Sequence, residues 1–427
     1  MRERGVSGFS FSARGGGTES TSGNETKASA PSSLGDLLRN SNRIQTLSVQ
    51  RRGANSLDPY IRGYRGGQIY TETGGSQWLP VRRDLDSILS KVDPSLVSGV
   101  TVIPGPYGLR YGPGFSFIDV TMFDTPRYNN GYESHARIGY TLRANGGQSY
   151  TRFAAFGGSA DWGYILSWGG RKGSDYKPGG NAAFSHIPSS YSTQNWLLQI
   201  GYDLSSDSRL EVRYERIDDS DHEYPAQIFD IGFMGTDAIN VKYISQDACN
   251  SSTLTVDTWF NSTRYTGDTT RPGKRLPYPV VDRIEYALDT LGGLVPAVGM
   301  TDFLGTTYGD LSTTGARAIK QYGQDQEMQI SLGADFRYTT QKISERIEVS
   351  NFPAGLFPPG TEIISTNLPR AEAIDTGLFA EVELPWLSCV TTRVGGRLDW
   401  VNTTARTQID QNDTLYGFYI QNEVQVS

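Results

Sequence analysis

The 427-residue sequence has no run of about 18 apolar residues, so no helix of it can cross a membrane. Crossing by β-strands stays open, because such strands hide their apolar face in alternation and look polar on average. Basic charge is not in excess either. Lys and Arg number 39 against 46 Asp and Glu, a net charge of -7, so nucleic acid is not an expected partner. Two cysteines, Cys249 and Cys389, make no disulfide framework. Three histidines, His135, His186 and His222, are scattered, which argues against a histidine-based metal or haem relay. The chain has no GxSxG, HExxH, P-loop or dinucleotide fingerprint between a strand and a helix. No enzyme activity, cofactor or metal site is therefore expected. The N-terminus is rich in Gly, Ser and Thr and has no apolar segment, so it does not read as a signal peptide. Residues 1–32 are expected to be disordered.

What is present is glycine, at 49 residues, tyrosine, at 24, and a long region of period-two patterning. Residues 33–127 read as a small α/β unit. Ser33 is a plausible N-cap for a helix carrying Leu34, Leu37 and Leu38 on one face. "RRDLDSILSKV" places Leu85, Ile88, Leu89 and Val92 at helical spacing, and "PYIRGYRG" and "GQIYTET" read as short strands or turns. After about Ser134 the period becomes two. "NWLLQIGYDL" sets Trp196, Leu198, Ile200, Tyr202 and Leu204 against Gln199, Gly201 and Asp203. "RLEVRYER" and "EMQISLGADFRYT" repeat the pattern. Strands are expected at 134–143, 149–157, 161–169, 195–204, 209–217, 238–245, 253–262, 312–321, 327–340, 373–384, 391–401 and 414–424.

Connections between these strands alternate. Short turns such as "GSA", "SSDS" and "PWLSCV" follow every second strand, and the links after the others are mostly long, at 170–194, 218–237, 263–311, 341–372 and 402–413, with "ANGGQS" the one short link on that side. Transmembrane barrels sort their connections in this way, and a soluble sandwich has no reason to. The fold class expected is mainly β: a small α/β unit followed by an antiparallel transmembrane barrel over 128–427. Cys249 and Cys389 would then lie in short turns four strand gaps apart, roughly 19 Å at ~4.8 Å per gap, too far for a disulfide.

The stretch "VIPGPYGLRYGPGFSFIDV" at 102–120 joins the two regions. Its glycines permit close backbone approach and its prolines remove alternative conformers, which makes a stiff corner before strand 115–121. Together with "YIRGYRGGQI" at 60–69, and with "GLFAEVELPW" followed by "TTRVGGRLDW", it resembles the TonB-dependent outer-membrane receptors. The wording "RYGPGFSFIDV" is similar to a planctomycete-like subfamily. The matching motif residues are Arg62, Gly63, Gly105, Pro106, Tyr111 and Gly112. The sequence departs from the family where Phe115, Ser116 and Phe117 stand in place of a Gly pair, and no TonB box shows in 1–32.

The resemblance implies a plug inside a barrel of about 22 strands. Some twelve are expected here, so the chain is expected to be a fragment. It implies active transport of a scarce solute such as a siderophore, cobalamin or glycan across the outer membrane of a Gram-negative-type envelope. The implied partners are a TonB-type inner-membrane energy transducer, outer-membrane lipid and a small-molecule ligand taken up by the long outer loops. It also implies ionic contacts between plug and barrel. Arg62, Arg65 and Arg110 are the candidate plug arginines, and Glu211, Glu215, Glu381 and Glu383 the candidate barrel carboxylates. Arg213, Arg337, Arg393 and Arg397 also alternate inward. The acidic stretch "IDDSDHEY", 217–224, is expected to be an exposed loop rather than a cation site. Two other readings remain: a passive pore or adhesion barrel, and a soluble all-β binding protein.

Overall fold

The computed structural model describes residues 19–22, 33–40, 46–65, 68–82, 88–104, 108–114, 116–180, 186–225, 227, 229–270, 303–323, 327–349, 361–387 and 390–406. Two sheet systems share the chain. The N-terminal unit contains β1 (Glu19–Ser22), α1 (Leu34–Asn40), β2 (Leu47–Gly53), β3 (Ser56–Ile61), β4 (Tyr70–Thr73), β5 (Ser76–Trp78), β6 (Val97–Pro104) and β7 (Ser116–Met122). Its main sheet has the order β1-β6-β7-β4-β5, and β2 and β3 form a separate hairpin. Ser33 caps α1 as its sequence suggests, its Oγ accepting from Asp36 N at 3.1 Å. Leu34, Leu37 and Leu38 of α1 pack with Val100, Val102, Ile118 and Val120 of the sheet.

Two expectations for this unit are corrected. Glu19–Ser22 lies within the stretch expected to be disordered, yet it pairs antiparallel with β6, Glu19 opposite Val102 and Ser22 opposite Gly99. Main-chain bonds at a sheet edge, which any residue supplies, make this pairing. The helical spacing at 85–92 gives a 3-10 turn over Ile88–Ser90 and a second over Pro94–Leu96, the latter capped by Asp93. Residues 83–87 lie outside the described residues.

The second system is one antiparallel sheet of eleven strands in sequence order: β8 (Glu133–Arg143), β9 (Gln148–Gly158), β10 (Trp162–Gly173), β11 (Tyr191–Ser205), β12 (Ser208–His222), β13 (Asp230–Asp247), β14 (Ser252–Asp268), β15 (Phe303–Tyr322), β16 (Gln329–Val349), β17 (Thr361–Leu387) and β18 (Val390–Arg406). Each matches one expected strand, and most run further at the long-connection end. Strand 414–424 lies outside the described residues. Among the described residues β8 and β18 are the two edges and the barrel does not close.

Alternation gives this sheet two unlike faces. Leu198 is 40% exposed while its neighbour Gln199 is 3% exposed. Trp196, Ile200, Tyr202 and Leu204 share the exposed face with Leu198. The other face carries charge and rests on the N-terminal unit, with Ile165 and Leu197 completing that unit's core. The apolar band crosses the hydrogen-bonded rows obliquely. Leu142 of β8 shares a row with Ser220 of β12, whereas Leu378 of β17 shares one with Leu210. Strands tilted by about 35–45° in a barrel wall produce this drift.

Candidate functional site

The polar face of the wall and the N-terminal unit meet in a continuous join. It is built first from turns without side chains. Gly74 and Gly75, at φ 55 and 89, make the tight turn of the β4–β5 hairpin. Only glycine takes both conformations cheaply. Their bare backbone lets the Arg213 guanidinium and the Asp257 carboxylate of the wall come up against the turn. Arg213 Nη2 donates to Thr73 O, and Asn261 Nδ2 donates to Gln77 O.

The corner at 108–114 is held in the same manner. Tyr111 N donates to Gly108 O at 2.8 Å, and Gly112 follows at φ 128. The Tyr111 ring packs on Phe117, which packs on Tyr70, with centroids 5.6 Å apart in each pair. Three successive carbonyls then point at the wall, and each takes an arginine from a different strand. Arg397 of β18 donates to Leu109 O at 3.0 Å, Arg317 of β15 to Arg110 O at 3.1 Å, and Arg337 of β16 to Tyr111 O at 3.0 Å. Further along, Arg171 of β10 donates to Ser90 O, Lys91 O and Val92 O at 3.0, 3.2 and 3.3 Å. Gln341 of β16 reaches Val81 O at 2.8 Å.

Carboxylates of the wall aim these arginines. Asp335 lies between Arg337, at 3.3 Å, and Arg397, at 2.7 Å. Asp375 holds Arg337 at 3.1 Å, and Glu215 holds Arg213 at 3.0 Å. A buried guanidinium needs such a partner, because an unpaired buried charge is strongly destabilising.

Ion pairs cross the same join. Arg317 Nη1 donates to both oxygens of Glu72 in β4, at 2.8 and 2.9 Å. Arg110 Nη2 meets Glu381 Oε1 at 3.0 Å, and Arg82 meets Glu345 at 2.9 Å. Lys91, fully buried, stands 3.4 Å from Asp219, whose carboxylate also contacts His222 Nδ1 at 3.0 Å. Burial pushes the Glu72 carboxyl up to about 7 against the opposing pull of Arg317. It raises Asp119 and Tyr111 too, and these two hydrogen-bond to each other at 3.3 Å. Asp124, between the two sheet systems, is pushed up to about 6 by burial and by Glu211.

Residues 6–116 match the family profile "TonB-dependent Receptor Plug Domain". The chain is also 33% identical over 145 residues to a hemin receptor of Yersinia enterocolitica, covering 32% of this chain and 20% of that one. A hemin receptor of Yersinia pestis is 30% identical over 158 residues, covering 35% and 22%. The matched stretch is thus about a fifth of those relatives' length. Among solved structures, the copper transporter OprC superposes with a TM-score of 0.72 at 19% identity, over 92% of this chain and 56% of that one. The FrpB iron transporter from Neisseria meningitidis gives 0.62 at 13% identity, over 91% and 59%. These two likenesses speak for the fold. The N-terminal stretch thus carries a TonB-dependent receptor plug domain, and the chain as a whole is similar to that family. Its N-terminal unit is the plug, and its eleven-stranded sheet is barrel wall.

Within the plug–barrel join, the expected residues divide. Arg110 and Glu381 are brought together. Glu383 instead pairs within the wall, with Arg393 at 2.5 Å. Glu211 Oε1 accepts from Thr125 Oγ1 at 3.0 Å and so fixes the segment that leads into β8. Among the described residues Arg62 meets no barrel carboxylate. Arg62 and Gly63, at φ 48 and 89, form a tight turn closed by reciprocal 2.9 Å bonds between Ile61 and Tyr64, and this turn directs the Arg62 side chain outward. Arg65 is likewise exposed. Tyr111 and Gly112 form the corner, while Gly105 and Pro106 lie outside the described residues. Cys249 is exposed with a free thiol, and Cys389 also lies outside the described residues.

The stretch 217–224 is not an exposed loop. β12 continues to His222, and Asp219 and His222 are buried against the plug, while Glu223, also buried, turns to Ser190 of the connection before β11. The alternation of Asp218 and Ser220 outward with Asp219 and His222 inward was the signal, hidden because both faces are polar there. Among the described residues no group of three or more His, Cys, Asp and Glu is arranged to hold a metal ion.

The resemblance implied plug arginines on barrel glutamates. The structure mostly reverses this, with barrel arginines on plug carbonyls. The inward alternation of Arg213, Arg337 and Arg397 opposite a glycine-rich corner was the available signal.

Proposed function

We propose that this chain is the plug, about residues 33–127, and part of the barrel, from about 128, of an active transporter in the outer membrane of a Gram-negative-type envelope. A scarce solute would be bound by the long connections at the β10–β11, β14–β15 and β16–β17 ends. A TonB-type transducer would then remodel the plug to open a path. The reading is of transport, not catalysis. The observation that carries it is the join: a folded unit is bolted to the polar face of a sheet whose opposite face is apolar and exposed. A passive pore has no need of such a unit.

The curated relatives are named hemin receptors and solved relatives include copper and iron transporters, so an iron porphyrin or a metal chelate is the first solute to test. The experiment is uptake of hemin, a ferric siderophore, cobalamin and an oligosaccharide by cells producing the protein, with and without an uncoupler. Accumulation of one solute that stops with the uncoupler supports the proposal. Uptake indifferent to the uncoupler would mean a passive pore.

A further inference from the structure

On the face turned away from the plug, the even-numbered positions of β10, β11 and β12 stand in rows set by the register. Leu166, Leu198 and Tyr214 form one row. The next holds Trp168, Trp196 and Arg216, with the two indoles 5.9 Å apart. Gly170, Gln194 and Asp218 follow, and then Lys172, Ser192 and Ser220. The surface therefore changes from aliphatic through aromatic to polar within four rows.

The last row lines a cavity of about 580 Å³ at the rim of the wall, together with Asp175, Asp221 and Glu223 and with Gly173 and Tyr191 from the buried positions of the same strands. Its walls are fixed by main-chain bonds. Asp175 Oδ1 accepts from Ser189 N at 3.0 Å and Ser190 N at 3.1 Å, and Glu223 Oε2 accepts from Ser190 N at 3.1 Å. Asp221, at φ 52, is skipped by the ladder, which passes from Ser220 to His222. Hydroxyls, carboxylates and one exposed ammonium line the space. That lining suits a ligand rich in hydroxyl groups and rejects an acyl chain. Three carboxylates to one ammonium disfavour a lone phosphate.

We propose that this cavity seats the sugar headgroup of an outer-leaflet glycolipid whose acyl chains lie over Trp168, Trp196, Leu166 and Leu198. Continuity with the apolar band selects a lipid-borne sugar over a free one, since a free sugar makes no use of those rows. The inference rests on the membrane reading above.

The test uses the purified chain mixed with vesicles of phosphatidylethanolamine, alone or with monoglucosyl diacylglycerol. Flotation reads membrane association, and native mass spectrometry after detergent extraction reads the retained lipid. The expected result is retention of the glycolipid over phosphatidylethanolamine by about tenfold, lost in Ser192→Trp/Ser220→Trp, which fills the cavity, and weakened in Lys172→Glu at an exposed position. Equal retention of both lipids by chain that floats would overturn the proposal and leave the membrane reading standing. Competition by free methyl glucoside would overturn the lipid source. Failure to float with either vesicle would overturn both readings.

Discussion

Glu72 is where pH should act on the join. Its carboxyl is buried and raised from 4.5 to about 7, so the folded state holds the proton more tightly than the unfolded chain. The stability this contributes is fully present below pH 4.5 and is lost as pH rises through about 7. The size is on the order of 3 kcal/mol, from about 1.4 kcal/mol per unit. Thermal melts of the plug across that window should show the slope, and Glu72→Gln should flatten it. Two glycines separate strain from clash. Gly131, at φ 115, has nothing within reach of a Cβ, whereas at Gly112, φ 128, a Cβ would meet the Arg337 guanidinium. Gly131→Ala should cost about 1 kcal/mol, and Gly112→Ala more than that, with faster proteolysis of the corner. Arg110→Ala removes one partner of a buried pair, a change that costs about 3–5 kcal/mol where no other base is near. Here Arg393 stands 3.5 Å from the same Glu381 carboxylate, so the loss should fall at or below the lower figure. A double-mutant cycle with Glu381→Ala measures it.

At the scale of the strand, the two faces make different predictions for neighbouring residues. Ile200→Arg places a charge in the apolar band and should lower folding into bilayers by about 2–4 kcal/mol. Gln199→Ala, one residue away on the inner face, should leave insertion unchanged and loosen the Phe123 carbonyl to which its amide donates at 3.2 Å. Denaturant titration in vesicles distinguishes the two. Alternation was legible wherever one face was apolar, which is why β11 and β16 were recognisable from Trp196–Leu204 and Met328–Tyr338. It faded where both faces turn polar. Expected at 238–245, β13 begins at Asp230, because "DIGFMGTD" has no period of two. β15 runs from Phe303 although only 312–321 was expected. Over the described part, Ile88 to Val92, the helical spacing was misleading for another reason. Leu89 and Val92 are buried in the plug core, but the chain reaches them through a 3-10 turn.

For the whole molecule, the join is buried, so salt should matter little. Arg317, Arg337 and Arg397 each have side chains less than a tenth exposed. Screening acts on exposed charges far more than on pairs such as these. Hydrogen exchange of the 108–114 amides should therefore change little as salt is raised. It should rise sharply when the three arginines are replaced together by alanine. The general architecture was legible from period, connection length and the Gly-Pro corner. The join was legible only in part: its inward arginines and the Arg110–Glu381 pair show in the sequence, but the carbonyl acceptors leave no mark there.

That invisibility has a consequence for how the two parts can change. Every residue offers the same carbonyl, so Arg317, Arg337 and Arg397 recognise the path of the plug's main chain and are indifferent to the side chains at Leu109, Arg110 and Tyr111 as acceptors. The specification of the fit is written on one partner. A plug from a distant relative, grafted here with a corner of the same backbone course, should still offer its carbonyls to these three arginines when residues 109–111 differ, losing only what the Arg110–Glu381 pair and the Tyr111 ring contribute.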